Sequence, residues 1–170
     1  MANSPAFVLK NVTVNMAGVN QIGQMAQLTL PAPEASTEEF RNAGMVKPRV
    51  VRMGYETQSF SVELSSFDPA ILELMGNGPH DLIARGYAES EDGTQHSYRC
   101  LMVAEATSVS PGDHAPASKA SLTTEFTVHE QTLICETDGQ DREVWHMTDT
   151  EVRIGGKVQN AGMARALGLV

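Results

Sequence analysis

The chain has 170 residues, of which 41% are hydrophobic and 5% aromatic, with a mean hydropathy of −0.21. A domain of this length hides roughly two-thirds of its unfolded surface, so one core is sufficient and intrinsic disorder is excluded. The 12 Lys and Arg residues stand against 21 Asp and Glu residues, giving a formal charge of −9 and arguing against tight binding to nucleic acid.

The first part of the chain predicts two strands and then a long segment without a repeat. Polar and apolar side chains alternate in residues 11–16, which is the period of a strand with one wet face. Residues 24–30 predict a second strand that ends at Pro31, since proline cannot continue a hydrogen-bonded ladder. Residues 31–54 have neither the helical nor the strand period, and their prolines favour an extended course. We therefore predict a long extended loop at 31–54.

The next part predicts the clearest strand and a short helix. Residues 58–66 place Phe60, Val62 and Leu64 on one face of a strand. The helix signals are Asp68 as N-cap, Pro69 at the first helical position and Gly76 just past the end. The face expected to lie on a sheet consists of Ile71, Leu74 and Met75.

The second half predicts two hairpins and a terminal helix. Strand-like runs flank Asp92-Gly93 and again Asp138-Gly139, which are typical turn pairs. Between the hairpins, residues 122–130 resume strand alternation. Residues 160–170 predict a C-terminal helix and tail, with Asn160 as its cap and Gly168 at its end.

These elements together predict a single, mainly β domain over residues 1–170. Seven or eight strands with one or two short α-helices and a long extended loop favour an antiparallel β-sandwich or partly open barrel. The strands are polar on one whole face, so that face should meet water or a wet interface. No repeat and no linker that would divide the domain is present.

The sequence offers no convergent set of catalytic or metal-binding groups. It lacks the nucleophile elbow, the phosphate loop, the zinc-protease helix motif and the EF-hand. His96 and Cys100, four positions apart, share one face of a predicted strand. Two ligands alone do not define a metal site, which would have to be completed by residues from elsewhere in the chain. We therefore expect a non-enzyme without cofactor or metal.

The cysteines and the N-terminus indicate where the protein is made. Cys100 and Cys135 lie in separate strand-like runs and form no paired motif, so we expect two small buried thiols. Residues 1–15 lack the features of a signal peptide, and no stretch approaches the ~20 apolar residues of a membrane span. Synthesis in a cytoplasm without a membrane anchor is the resulting expectation.

Four short motifs in constant order carry a family resemblance. They are Leu-Thr-Leu-Pro at 28–31, Phe-Arg-Asn-Ala-Gly-Met at 40–45, Met-Gly at 53–54 and Gly-Met-Ala-Arg-Ala-Leu-Gly-Leu at 162–169. In this order the chain resembles the major tail tube protein of contractile-tailed bacteriophages and R-type pyocins. The resemblance spans nearly the whole sequence.

This resemblance implies a structural subunit of a virion tail, made in the cytoplasm of the bacterial host. Family members form hexameric rings that stack into an inner tube, with strands of each subunit joining into a lumen wall. The implied partners are further copies of the chain, the tail sheath, baseplate and terminator proteins, the tape measure protein in the lumen, and DNA that passes through without tight binding.

The resemblance also implies which residues touch neighbouring subunits. The loop at 31–54 and the C-terminal segment correspond to parts of the family that reach other copies. The implied contact residues are Phe40, Arg41, Gly44, Met45, Met53, Gly54, Leu167, Gly168 and Leu169. Within this set, Phe40 and Met45 are expected anchors and Gly44 an expected bend.

Two other functions are compatible with the residues. A type VI secretion-like tube protein would share the β-barrel ring. A small-ligand-binding β-barrel, or an enzyme of unrecognised type, would instead be a monomer with a closed pocket. The motif at 40–45 and the Leu-Gly-Leu ending favour the phage tube.

Overall fold

The computed structural model describes residues 7–112, 115–116, 119–137 and 139–168. Within these ranges the chain forms twelve strands and two short α-helices, which confirms the mainly β prediction. The strands are β1 (Phe7–Met16), β2 (Val19–Asn20), β3 (Met25–Thr29), β4 (Ala35–Phe40), β5 (Arg49–Tyr55), β6 (Gln58–Leu64), β7 (His80–Ser90), β8 (Gln95–Pro111), β9 (Leu122–Thr137), β10 (Gln140–Met147), β11 (Val152–Ile154) and β12 (Lys157–Val158). The helices are α1 (Pro69–Leu72) and α2 (Ala161–Ala166).

Ten strands form one antiparallel sheet that divides along β9. The main path runs β12-β11-β10-β9-β8-β7-β1-β2, and β6, followed by β3, joins β9 separately. Residues 122–128 of β9 pair with β6, whereas residues 131–137 pair with β10. Strand β8 follows β9 along its whole length, with register shifts at Val103/Ala104 and Ala106/Ser108. Such bulges bend a strand, and the divided sheet folds over one core without closing into a barrel.

The core lies where the two parts of the sheet face each other. Phe60, Val62 and Leu64 of β6 are buried, as their alternation predicts, and the Phe60 ring lies 5.9 Å from that of Phe126 on β9. Val14 and Met16 of β1 complete this wall. The remaining fully or nearly buried apolar residues include Ile71, Leu82, Ala84, Cys100, Met102, Ala104, Leu122, Val128 and Leu133.

The predicted helix is present, although it is shorter than its punctuation suggests. The Asp68 carboxylate accepts a hydrogen bond from the Ala70 N–H at 3.0 Å, and Pro69 occupies the first turn. The α-helix ends at Leu72 and tightens into a 3₁₀ turn over Glu73–Gly76, so Gly76 lies inside the turn and not beyond it. This tightening rotates Met75 away from the sheet. Met75 is 47% exposed, and its predicted place on the buried face is wrong.

The N-cap supports a first test of the fold. Asp68→Ala removes the acceptor of the Ala70 N–H, so we expect the free energy of unfolding to fall by about 1 kcal/mol. Urea unfolding of the dilute monomer measures this loss. Glu91→Ala, at an exposed turn position, is the matched control and should change stability by less than about 0.5 kcal/mol. Equal effects of the two substitutions would contradict the capping assignment.

The segment predicted as a long extended loop at 31–54 is extended, and in addition its residues 35–55 pair as a β-hairpin, which the sequence did not predict. Strands β4 and β5 pair with each other from Ala35↔Tyr55 to Phe40↔Arg49 and join no other strand in the described part of the chain. The prolines flank these strands or lie in the turn between them, so they interrupt no ladder. We call residues 35–55 the arm and residues 41–49, the turn together with the first residue of β5, its tip.

Candidate assembly interface

The arm exposes apolar side chains on a ribbon that has no sheet behind it. No residue of β4 or β5 is fully buried. Val46 in the tip is 96% exposed, Met53 is 60% exposed and Phe40 is 42% exposed. Val50 and Val51 add to this surface. Two-stranded ribbons are marginal in water alone, and clustered exposed apolar residues mark interaction sites, so the arm has the properties of a contact surface.

The tip is a turn that carries positive charge. The Met45 N–H donates to the Asn42 carbonyl at 3.1 Å, and Gly44 has a φ of +89°, so the predicted bend is present. The Asn42 N–H lies 3.4 Å from the Met45 sulfur, which folds Met45 back over the turn and leaves it half-buried. Val46 is therefore the more available apolar residue of the tip.

The cations of the tip form a local cluster in an acidic chain. Arg41, Lys47 and Arg49 lie within nine residues that contain no acid. None of the three makes an ion pair among the described residues. Overall composition concealed this cluster, because the rest of the chain is strongly acidic.

The base of the arm contains a bulge at the predicted contact residues. Ser36 pairs with Gly54 and Thr37 with Arg52, so Met53 is the extra residue. Gly54 has a φ of +149°, a backbone conformation that favours glycine. The Arg52 guanidinium lies over the Tyr55 ring at 4.3 Å. The bulge leaves the Met53 side chain exposed. It also explains why glycine follows Met53, since Gly54 adopts a backbone conformation that other residues rarely do.

The C-terminal helix is held against β11 by Asn160. Its side-chain oxygen accepts from the Val152 N–H at 3.2 Å, and its amide donates to the Thr150 carbonyl at 2.6 Å. Asn160 thus occupies the predicted N-cap position, and its backbone carbonyl accepts from the Ala164 N–H at 2.9 Å, but its side chain makes no capping bond. Its side chain is already used to anchor the helix to the sheet.

The exposed end of this helix carries the remaining predicted contacts. Ala164 packs inward, while Met163 and Leu167 are exposed. Gly168 has a φ of +69° and follows the helix, as predicted. Leu169 lies outside the described residues. The structure brings Met53 and Gly54 to the same cleft as Met163, whereas Phe40, Arg41, Gly44 and Met45 lie at the far end of the arm.

The outward face of the main sheet is mixed and not wholly polar. Asn11, Thr13, Arg85, Arg99, Glu136 and Asp141 line a shallow depression of about 650 Å³ on it. Ile83, Leu101 and Val103 stand further along the same face. The prediction of one entirely polar face is therefore wrong. These apolar residues were missed because they are adjacent in sequence to buried apolar residues of the same strands, so the sequence alone does not show which face each one occupies.

Acids neutralise most of the cations on this face. Lys10 lies 3.2 Å from Glu89, and Arg99 pairs with Asp141. Arg153 pairs with Glu143 at 3.4 Å and with Glu151. Further carboxylates stand on the same side at Asp81, Glu130 and Glu136. The face therefore offers no cluster of unpaired cations for phosphate groups.

The main sheet has open edges at both ends. On the side away from β7, strand β1 is paired only at Asn15 and Met16, by the two-residue β2. On the side away from β9, strand β10 is paired only from Trp145 onward, by β11. On these two sides, residues 7–13 and 140–143 have no strand partner among the described residues, whereas the Val14 and Val144 carbonyls accept from the Gln21 and Gly155 N–H groups. Phe7, Val8 and Leu9 are exposed along the first edge. Unpaired edges of this kind favour association with another strand.

The titratable residues that the structure describes do not assemble into a chemical centre. Both cysteines are free, and burial raises the pKa of Cys100 to about 12, so its thiol is inert. Cys135 is only partly buried, contrary to expectation. The His96 ring contacts Phe7 and its Nδ1 lies 2.9 Å from the Thr137 hydroxyl. The described residues contain no group of His, Cys, Asp or Glu that could hold a metal ion.

One further feature is local. The Ser90 hydroxyl and the Thr94 N–H donate to Asp92 and lower the pKa of that carboxyl to about 2. These hydrogen bonds stabilise the β7–β8 turn.

Across residues that can be described, the helices are too short and too polar to cross a bilayer.

A match to a family model identifies the family of this chain. Residues 6–168 match the family model for the phage tail tube protein FII. The chain belongs to this family. It is a structural subunit of a phage tail tube, and the tail tube family is favoured over a type VI secretion tube or a ligand-binding barrel. No curated protein sequence matches the chain.

Solved structures share the fold of this tube protein at low sequence identity. A chain of the PVC sheath/tube terminator, from an extracellular contractile injection system, has a TM-score of 0.55 and 11% identity, covering 78% of this chain and 99% of its own. A chain of the PVC sheath–tube complex gives 0.52 and 12%, covering 74% and 88%. A chain of the anti-feeding prophage baseplate gives 0.50 and 14%, covering 78% and 95%.

Proposed function

We propose that the tube protein assembles into hexameric rings that stack into the inner tube of a contractile phage tail. The arm is the observation that carries this proposal. It is a preformed ribbon that exposes apolar residues and cations and pairs with no other strand among the residues that the structure describes. A neighbouring copy that covers this ribbon would bury its apolar side chains.

The open sheet edges support ring formation independently. A closed ring lets the β1 edge of one copy lie beside the β10 edge of the next, which removes exposed strand edges. The main sheet would then continue from subunit to subunit as the wall of the lumen. The exposed Phe7, Val8 and Leu9 would be covered at this junction. The contact residues at the arm and the C-terminal helix would join one ring to the next.

The proposed partners are other proteins of the tail. The solved structures of similar fold come from a sheath–tube complex, a sheath/tube terminator and a baseplate. We infer that a sheath surrounds the tube, that baseplate and terminator proteins meet its ends, and that a tape measure protein occupies the lumen during assembly. The subunit would be made in the cytoplasm of the bacterial host.

Electron microscopy of the concentrated, purified protein or of its parent particle tests this proposal. We expect rings or tubes with sixfold symmetry that contain this chain. A monomeric protein at all concentrations, in a particle whose tube consists of another protein, would reject the proposal.

We further propose that DNA passes through the lumen without tight binding. The outward face of the main sheet carries paired cations and an excess of carboxylates, so a duplex would meet no phosphate clamp. Assembled tubes should therefore retain little duplex DNA in a filter assay, even at low salt. Replacing Glu136 and Asp141 with lysine should produce retention that salt abolishes. Strong, salt-dependent retention by the unmodified tube would contradict this proposal.

A further inference from the structure

A cleft of about 740 Å³ lies between the base of the arm and the C-terminal helix. Residues 52–58 form one wall, and Met147–Thr150 together with Asn160 and Met163 form the other. Met53, Met147 and Met163 supply apolar and conformationally adaptable surface. The cleft is therefore shaped by two segments that are distant in sequence.

The floor of the cleft contains an unpaired buried acceptor. Gln131 is 2% exposed, and its side-chain amide donates to the Gln58 carbonyl oxygen. The Gln58 amide in turn lies 3.2 Å from the Met147 sulfur. The Oε1 atom of Gln131 is buried and accepts no hydrogen bond from any described residue. Because a buried acceptor without a donor is costly, the Gln58 and Gln131 side chains leave the base of the cleft incompletely satisfied in the single chain.

The rim of the cleft favours a positively charged occupant. Glu56 and Asp149 line it, and neither makes an ion pair among the residues described. The one arginine in the lining, Arg52, is stacked on Tyr55. The carboxylate rim and the methionine walls thus favour an occupant that combines cations with an apolar side chain.

We propose that the cleft receives the tip of the arm from a second copy of the chain. The tip carries Arg41, Lys47 and Arg49 beside the almost fully exposed Val46, which matches the carboxylate rim and the methionine walls. A chain cannot fill its own cleft, since six paired residues separate tip from base by about 20 Å. This inference rests on the proposed tube, and it names the surface that each arm occupies.

Chemical cross-linking in assembled tubes tests the contact. Val46→Cys in the tip and Met163→Cys at the cleft would be combined in one chain and treated with a short bismaleimide. We expect most chains to shift into a ladder of covalent multimers, because each tip reaches the cleft of another copy. The single variants and the Val46→Cys/Glu91→Cys pair, with Glu91 at an exposed turn far along the chain, should give monomers.

Charge reversal provides the second arm of the experiment. Arg41→Glu/Lys47→Glu/Arg49→Glu should raise the protein concentration required for tube formation at least about tenfold. Adding Glu56→Arg/Asp149→Arg should recover most of that loss. Tubes that form normally but give no ladder and no rescue would overturn the cleft contact while leaving the proposed tube intact. A wild-type chain that forms no tube would instead reject the proposed function.

Discussion

Excision of the arm should leave a folded monomer that forms no tubes. Ala35 and Tyr55 close the ribbon as a pair, and the Glu56 N–H donates to the Glu34 carbonyl at 2.9 Å. Replacing residues 36–54 with Asn-Gly therefore preserves both ends. We expect an unchanged or slightly raised Tm, because each halving of a connection lowers its closure cost by about 0.6 kcal/mol. Thermal unfolding and electron microscopy measure the two outcomes.

A milder variant tests whether tube formation requires the exposed apolar side chains of the arm and not only the presence of its two strands. Phe40→Ala/Val46→Ala/Met53→Ala keeps β4 and β5 paired but removes exposed apolar area. Its circular dichroism should match that of wild type, while its tube formation should need a higher protein concentration. If the excised chain still forms normal tubes, the arm is only a tolerated surface hairpin.

Phe126→Ala should destabilise the monomer more than any surface substitution discussed above. The Phe126 side chain is fully buried beside Phe60, its cross-strand neighbour on β6, so its removal leaves a large cavity. The expected loss in the free energy of unfolding is about 3–5 kcal/mol. This corresponds to a fall in Tm of about 6–20 °C for a chain of this size. Denaturant and thermal unfolding of the dilute protein measure it.

Phe40→Ala is the matched control for this core substitution. It removes the same side chain from the arm, so monomer stability should change by less than about 0.5 kcal/mol. The Phe60→Ala/Phe126→Ala double variant should show a coupling of about 0.5–1.5 kcal/mol between the rings. A loss below about 1 kcal/mol for Phe126→Ala would mean that the two parts of the sheet are not closely packed there.

The core and the turns of this fold are predictable from local patterns. Phe60, Val62 and Leu64 alternate because only one face of β6 is buried, and such alternation reads directly in the sequence. The Asp68-Pro69 pair predicts its helix because capping depends on adjacent residues. Glycine after aspartate at 92–93 marks the hairpin for the same local reason, with Gly93 at a φ of +84°.

The arm could not be predicted in the same way. Neither face of β4 or β5 is buried in the chain itself, so no selection for intramolecular burial imposes an alternating pattern. Adjacent Val50 and Val51 even place apolar groups on opposite sides of β5. The pairing depends on contacts between the two strands, which neither strand's own sequence pattern indicates. The family motifs drew attention to this segment as an expected contact region but did not indicate its hairpin conformation.

The candidate cleft depends on contacts between distant segments. Gln58, Gln131 and Met147 meet only after β6 and β10 pair with successive parts of β9. No spacing in the sequence predicts this cluster. The positive tip was within reach of sequence reasoning, since residues 41–49 carry three cations and no acid, but the acidity of the whole chain masked it.

The pairing of β4 with β5 determines at which step, folding or assembly, the arm loses its backbone conformational entropy. A disordered loop would give up backbone freedom only on docking, at about 1–2 kcal/mol for each residue fixed. Because the arm already forms a ladder in the single chain, much of this loss occurs during folding. Association then approaches the docking of preorganised bodies, so small apolar and ionic gains per contact suffice to hold a long polymer together.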